Sequence, residues 1–484
     1  MKIIANVKFG VNVNDANGAM IQLRAPLARA MTTLDRSLFS KTFQLAAASI
    51  KDNRNISKYR TQLIKEKRVF DRINVDPLRA HPDESAAGKG RKCLLLTPDV
   101  KFDSTSTWGP TLEEGTKADE LEIIPYDLTL GYDKWTYHEI MESILPEELQ
   151  GEVPSGFNTV GDVVHLNLRD QFLPYKKVIA DLIIDKSPRF RTVINKIDNV
   201  GTESAYRTFS YEVLAGPDDL NVEVKENDCI FKFDYAKVYW NSKLEPEHTR
   251  LVRKFQPGEV VCDLMAGIGP FAVPAGRKGV FVYANDMNPE SYKRQISEIP
   301  LQQTANTEPN QVDQFVRPFN EDGLTFIHKA ADLVREASEA GSHALVRPRH
   351  KFSRSNPTPA PEPVRVPVPP TISHFVMNLP GSATTFLHRF RGVYAGREAL
   401  FAPHTATKLP VVHVHCFAQK ASDEGARSDI VERIYEQIGV RLPVGENLDA
   451  GEVDIYDVRD VAPNKRMFCA SFRVPPEVAF APRG

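Results

Sequence analysis

The 484-residue sequence predicts an α/β protein, with a C-terminal doubly wound parallel sheet preceded by two smaller α+β domains. Three observations lead there. From Ala236 onward, apolar strand-like runs alternate with helical stretches, the pattern of a parallel sheet covered by helices. The first of these runs ends in Asp263 and a Gly267-Ile268-Gly269 turn that opens onto a helical segment. Upstream of Phe233, helical and alternating segments are mixed without that regularity.

Composition narrows the class. Hydrophobic residues make up 42% and charged residues 26%, as in ordinary globular chains. No apolar run approaches the roughly 18 residues of a membrane span, so no membrane association is expected. Five cysteines lie far apart with no CxxC pair, which argues against a disulfide framework and a cysteine zinc site. The net charge of −2 excludes a histone-like polycation but not a local basic face. One such stretch runs from Lys51 to Arg79. Residues 1–50 carry Lys2, Lys8, Arg24, Arg29, Arg36 and Lys41 against Asp15 and Asp35, the balance of a mitochondrial targeting segment.

Along the chain, residues 1–20 read as an N-terminal extension and 21–134 as the first domain. Residues 27–50 show apolar side chains at helical spacing, KCLLLTP reads as a strand, and 103–118 is turn-rich. The second domain is expected over 135–235. EIMESILPEEL and LPYKKVIADLIIDK read as helices, and DVVHLNL, TVINKI, YRTFSYEVLAG and NVEVKENDCIFKFDY as strands. In 236–484, six strands are expected: EVVCDLM, VFVYAND, QFVRPF, HFVMNL, PVVHVHCF and MFCASFRV. A disordered insertion is expected at about 335–372, because eight of the 23 residues from Pro348 to Pro370 are proline.

The glycine turn is the most informative segment. Glycine permits positive φ and close approach of the backbone to a ligand, and Pro270 suits a first helical position. Seventeen residues past Gly269, Asp286 ends the next expected strand, where a carboxylate can accept ribose hydroxyls. Asp322 marks the third tip. Gly267, Gly269, Asp286 and Asp322 thus describe a nucleoside pocket at the carboxyl edge of the sheet. Gly267 to Ala272 also fits a GxGxxA dinucleotide fingerprint, so NAD competes. Asp263 favours S-adenosylmethionine: a carboxylate there can hold an ammonium and would repel a pyrophosphate. The fourth strand ends Asn378-Leu379-Pro380-Gly381, like the (Asn/Asp)-Pro-Pro-Tyr motif of amino-methyltransferases. Proline locks the tip extended, and the Asn378 amide can align a planar nitrogenous base.

With YEVLAG, FDYAKVYWNSKLEPEHTRLV, CDLMAGIGPFAVPAG, VMNLPG, HVHCF and DVRDVAPNK taken together, the chain resembles the eukaryotic and archaeal tRNA (guanine-N1)-methyltransferases that modify guanosine 37 beside the anticodon. Its wording is nearest to fungal members. The resemblance runs from about Arg24 to about Pro475, leaving out the first 20 residues and the proline-rich insertion. It implies an N-terminal tRNA-docking domain, a middle domain and a class I, Rossmann-like, S-adenosylmethionine-dependent methyltransferase domain. It also implies a monomer that acts on tRNA with guanosine at position 37 and supports reading-frame maintenance. Glu247 matches the general base and Arg207 the arginine at the target base; Asn378 matches the strand-four asparagine. The family's Pro-Arg pair is Ser242-Lys243 here. Met287 and Gly323 join the cofactor site, which also includes Asn378; Tyr239 and His248 join Arg207 on the substrate side. No metal is expected. His413 and His415 share one strand face, but no carboxylate partner is evident in the sequence.

The chemistry agrees with these roles. Guanine N1 is protonated at neutral pH, so methylation there needs a base. Glu247 can take the proton, and Arg207 can stabilise charge developing on O6. Three alternatives stay open: the related wybutosine-pathway aminocarboxypropyltransferase, an NAD-dependent oxidoreductase, and a tRNA-binding protein without activity. Mitochondrial, nuclear and cytoplasmic locations are all expected.

Overall fold

The computed structural model describes residues 23–29, 31–197, 208–295, 312–346, 362–419, 423–462 and 464–483. They divide into two compact units. The first takes the described residues up to 158, with 166–195 and 213–217; the second takes 159–165, those of 196–212, and those from 218 onward. The sequence-based division into three domains drew its lines elsewhere, after 134 and 235.

The first unit is built on an antiparallel sheet of order β2-β3-β1-β4. Its strands are β1 (Lys41–Ile50), β2 (Leu78–Ala80), β3 (Lys92–Leu95) and β4 (Leu121–Leu130). The helical reading of residues 27–50 is corrected here: their second half is β1. Six consecutive residues of β1, Leu45 to Ile50, are buried, so both faces are covered and the two-residue alternation that marks a strand disappears. The turn-rich stretch 103–118 contains a helix, Pro110–Lys117, started by proline at its first turn and anchored by buried Leu112. The helix Tyr137–Ile144 opens with a capping box between Thr136 and Glu139. Four short strands follow in the chain, their residues divided between the two units: β5 (Asn158–Val160), β6 (Val163–Leu166), β7 (Thr192–Lys196) and β8 (Tyr211–Ala215). The helix Lys176–Lys186 lies between β6 and β7.

The second unit holds a hairpin of β9 (Asn221–Glu226) and β10 (Cys229–Asp234). Asn227 and Asp228 turn it, both at positive φ, as a two-residue hairpin turn requires. Its main sheet has seven strands in the order β13-β12-β11-β16-β17-β19-β18. These are β11 (Val260–Asp263), β12 (Phe281–Asn285), β13 (Val316–Phe319), β16 (His374–Met377), β17 (Val411–Gln419), β18 (Val453–Ala462) and β19 (Lys465–Arg473). The first five are parallel, and all six expected strands are present. The expectation of a parallel sheet fails at one edge, because β19 runs antiparallel to both neighbours. Two residues separate β18 from β19, and so short a link permits only a hairpin.

The insertion expected at 335–372 is corrected in part. The helix Gly323–Glu339 runs into it, and β14 (His343–Val346) pairs with β15 (Val364–Pro367) inside it. Proline is tolerated in β15 because the pair is two-stranded and every strand in it is an edge. The proline-rich centre, 347–361, lies outside the described residues, as does the 1–20 extension. All five cysteines are buried and unpaired.

Candidate functional site

The first strand tip is shaped by its glycines. Gly269 sits at φ +96°, and a Cβ there would lie 2.9 Å from Val273 Cγ2. Gly267 sits at φ +56°, yet nothing among the described residues comes within 4 Å of where its Cβ would be. Gly269 is therefore demanded by the turn itself, whereas the space beside Gly267 is left to a ligand. The turn is braced from the second tip: the Ala266 N–H donates to the Asn285 carbonyl at 2.7 Å, and the Gly267 N–H donates to Asp286 Oδ2 at 2.7 Å. Asp286 Oδ1 accepts from the Asn288 N–H at 2.8 Å. Asp322 caps the helix Gly323–Glu339 through the Leu324 N–H at 2.8 Å. Asn285, fully buried, donates to the carbonyls of Leu264 and Glu321 and so ties the first tip to the third.

These tips open onto a cleft with about 1000 Å³ of free space including its mouth, ample for a nucleoside cofactor. Of the expected cofactor residues, Gly267, Asp286, Met287, Asp322, Gly323 and Asn378 line it. On the expected substrate side, Tyr239 and His248 line it as well. Gly269 does not; its part is to shape the turn. Asp263 does not either. It is fully buried beneath the turn, and neither carboxylate oxygen has a hydrogen-bond partner among the described residues. Burial, helped by the negative charge of Asp286, pushes its carboxyl up to about 8. Burial raises Asp286 as well. Acidic groups under and beside a glycine turn favour a ligand that brings positive charge and disfavour a pyrophosphate. S-adenosylmethionine, with its sulfonium and ammonium, fits these residues.

Glu247 stands apart from the cleft lining. It is 2% exposed, in the first turn of the helix Glu245–Lys254. The Arg250 guanidinium donates to both of its oxygens, Nε to Oε2 at 2.7 Å and Nη2 to Oε1 at 2.8 Å. His415 Nε2 lies 2.8 Å from Oε1. Burial alone would push this carboxyl up; the bonds from Arg250 and His415 more than reverse that and hold it at about 2. Burial likewise works against a charged His415, but Cys469 and Glu247 outweigh it and lift the imidazole to about 10. The carboxylate partner that the sequence did not reveal for His415 is thus Glu247 itself. Glu247, His415 and Cys469 bring ligand atoms within 4.8 Å of one another. Both carboxylate oxygens are already engaged, and the Arg250 cation supplies the charge a metal would bring. His413 bonds to Ser471 at 2.8 Å and His374 at 3.1 Å inside the sheet.

His248 is also buried, but it reaches the cleft. Its Nδ1 lies 2.5 Å from Glu226 Oε1, at the end of β9, and its ring meets Phe271 edge-on at 4.7 Å. Arg207 lies outside the described residues. Sequence reasoning missed Glu226, Arg250 and Asn285. Of these, only Arg250 left a local signal, lying three residues after Glu247 on the same helix face.

Residues 137–219 match the TYW2 N-terminal domain, and residues 222–354 match the TRM5/TYW2 methyltransferase domain. A Fusarium vanettenii protein named tRNA (guanine(37)-N(1))-methyltransferase is 60% identical over 95% of this chain and 97% of its own. A Neurospora crassa protein of the same name is 59% identical over 93% of each chain. One from Schizosaccharomyces pombe is 40% identical over 93% of this chain and 96% of its own. Among solved structures, Trm5b from Pyrococcus abyssi superposes with a TM-score of 0.52 at 20% identity, covering 89% of this chain and 99% of that one. aTrm5, solved with tRNALeu, gives 0.55 at 19% identity, covering 89% of this chain and all of that one. At such identities these two likenesses establish the fold.

Proposed function

The chain belongs to the tRNA (guanine(37)-N(1))-methyltransferase family, and from that membership we propose that it methylates N1 of guanosine 37 in tRNA, using S-adenosylmethionine. The observation that carries the reading is the cleft at three acidic strand tips, beside an Asn-Leu-Pro tip, in a chain that matches its fungal relatives nearly end to end. When bound, S-adenosylmethionine supplies an electrophilic methyl group on its sulfonium. The protein's own part is to bind, orient and deprotonate.

Gly267 leaves room for the cofactor, and Asp286 and Asp322 face its hydroxyls and amines. Met287 and Gly323 border the same space. The Asp263 carboxyl, raised by burial beneath the turn, would ionise more readily once a cationic ligand lies above it. Asn378 fixes the edge of the target base, and Tyr239 lines its approach. Arg207 is proposed to stabilise charge on O6. Glu247 is the candidate base; it is ionised across the neutral range and oriented by Arg250 and His415. His248, on the cleft wall, is proposed to join Tyr239 on the substrate side.

The competing readings are weaker. An NAD pyrophosphate would bring negative charge beside two acidic groups whose carboxyls burial already raises, with no lysine or arginine among the described residues lining the cleft to offset it. Aminocarboxypropyl transfer is disfavoured by the shared name of the fungal relatives. No described helix is long and apolar enough to cross a membrane. We assign the protein to the mitochondrial matrix, nucleus and cytoplasm, on the basic, acid-poor balance of residues 1–50; a tagged protein found only outside mitochondria would remove the first. The activity is tested with methyl-labelled S-adenosylmethionine and unmodified tRNA transcripts. Label should enter a transcript with guanosine at 37 and not one with adenosine there. Equal labelling of both would sink the proposal.

A further inference from the structure

We propose that His415 is a positioning residue for the methyl transfer: it fastens the Glu247 carboxylate to the sheet, on the strand beside the one that ends in Asn378. This rests on the reading of Glu247 as base and deepens it by naming what sets the carboxylate in place.

Glu247 is held by bonds of two kinds. Arg250 lies three residues further along the same helix, so its paired bonds to the carboxylate travel with that helix. Beyond the helix, the Arg250 guanidinium lies 4.0 Å from the ring of Tyr456, which is 44% exposed on the edge strand β18. The bond from His415 comes instead from β17, inside the sheet, and its imidazole is fully buried. Burial would raise the Glu247 carboxyl, yet the bonds from Arg250 and His415 hold it at about 2, so it is ionised at neutral pH and only accepts hydrogen bonds. His415 Nε2 is therefore the N–H donor, at 2.8 Å from Oε1. Its Nδ1 is buried and makes no hydrogen bond among the described residues, so the polar side of the ring is committed to Glu247. Among those residues Oε1 takes two of the three bonds and Oε2 takes one, which leaves Oε2 room for one more hydrogen.

Strand register gives this anchor its meaning. β16 and β17 are parallel, and their last paired residues are Met377 and Val414. Asn378 and His415 each follow by one residue. Two neighbouring strands thus carry, at the same level, the asparagine that lines the cleft and the histidine that holds the carboxylate. On its other side His415 pairs with Cys469 of β19. The ring of Phe271, a residue of the cleft wall, lies 6.0 Å from the imidazole. His415 is not itself among the residues lining the cleft, so its route to the reaction runs through Glu247.

The test is a double-mutant cycle in the full-length protein: wild type, His415→Phe, Glu247→Gln and the two together. Single-turnover methyl transfer is measured at saturating tRNA transcript and S-adenosylmethionine. Phenylalanine fills the space of the ring but has no donor. His415→Phe should slow transfer by roughly tenfold to a hundredfold, the scale of a small displacement of a reacting group, while tRNA and cofactor affinities stay within about threefold. Glu247→Gln should lose roughly 10²–10⁴ in rate. Adding His415→Phe to it should cost no more than about threefold further, because residues acting as one unit are not additive. His415→Gln, which keeps an N–H donor, should recover most of the rate. His415→Asn, whose shorter amide withdraws the donor without adding bulk, repeats the cycle should the phenylalanine variant not fold. A donor-less variant within about threefold of the wild-type rate would overturn the proposal. So would an equal loss with and without Glu247, or a folded His415→Gln as slow as His415→Phe. Glu247→Gln at the wild-type rate would take the proposal down together with the base assignment, while methyl transfer to N1 of guanosine 37 by the wild type would leave the parent reaction standing.

Discussion

Asp286 and Asp263 are neighbours in charge but differ in task. Asp286 braces the glycine turn and also faces the cleft. Replacing it with alanine removes a charged hydrogen-bond acceptor worth roughly 1.5–3 kcal/mol, so calorimetry should show cofactor affinity falling by about tenfold to a hundredfold. Asp263 is buried with no hydrogen-bond partner among the described residues, and its carboxyl is pushed up to about 8. Between its ordinary value, near 4, and that raised one, the folded protein binds a proton that the unfolded chain does not. Ligand-free stability should therefore fall as pH rises through this window. Asp263→Asn should flatten that fall and melt higher than wild type at pH 8, yet gain less from added cofactor. A variant that melts lower at pH 8 would contradict the account. Glu247 has the opposite sign. Its carboxyl, held at about 2, contributes stability above the ordinary carboxylate range, and that stability is lost as pH drops toward 2. The acid limb of the melting curve should be blunted in Glu247→Gln.

Elements were legible in the sequence where their signal is local. The glycine turn, the acidic tips and the Asn-Leu-Pro tip each lie within a dozen residues, and the strands that carry them are in the structure. The two glycines should separate in the laboratory. Gly269→Ala meets Val273 and an unfavourable φ, so it should cost stability, on the order of 1–2 kcal/mol. Gly267→Ala has room and a milder φ, so cofactor affinity should suffer more than the melting temperature. Equal effects of the two substitutions on binding and melting would contradict this division. β1 was misread because burial on both faces erases alternation, and β15 because proline content hides an edge pairing. The reversal of β19 depends on the short link from β18, which the strand-by-strand pattern does not emphasise. The partners at the site were hidden for another reason. Glu226 lies 22 residues from His248, and His415 lies 168 from Glu247. Such pairs exist only once the chain is folded.

At the scale of the whole molecule, the candidate cofactor cleft lies in the second unit, and the substrate is a tRNA. Binding that RNA calls for contacts to phosphates, so affinity should fall steeply with salt, while cofactor affinity measured alone should change little. A tRNA affinity that ignores salt would argue against the polyanion as substrate. The family membership, the acidic tips and the need for a base all converge on one atom, N1 of guanosine 37. The most direct measurement is therefore to incubate the protein with S-adenosylmethionine and an unmodified tRNA transcript, digest the RNA, and identify the new nucleoside and its position by mass spectrometry. The account predicts 1-methylguanosine at position 37. An aminocarboxypropyl adduct, a methyl group at another atom or position, or unmodified RNA would contradict it.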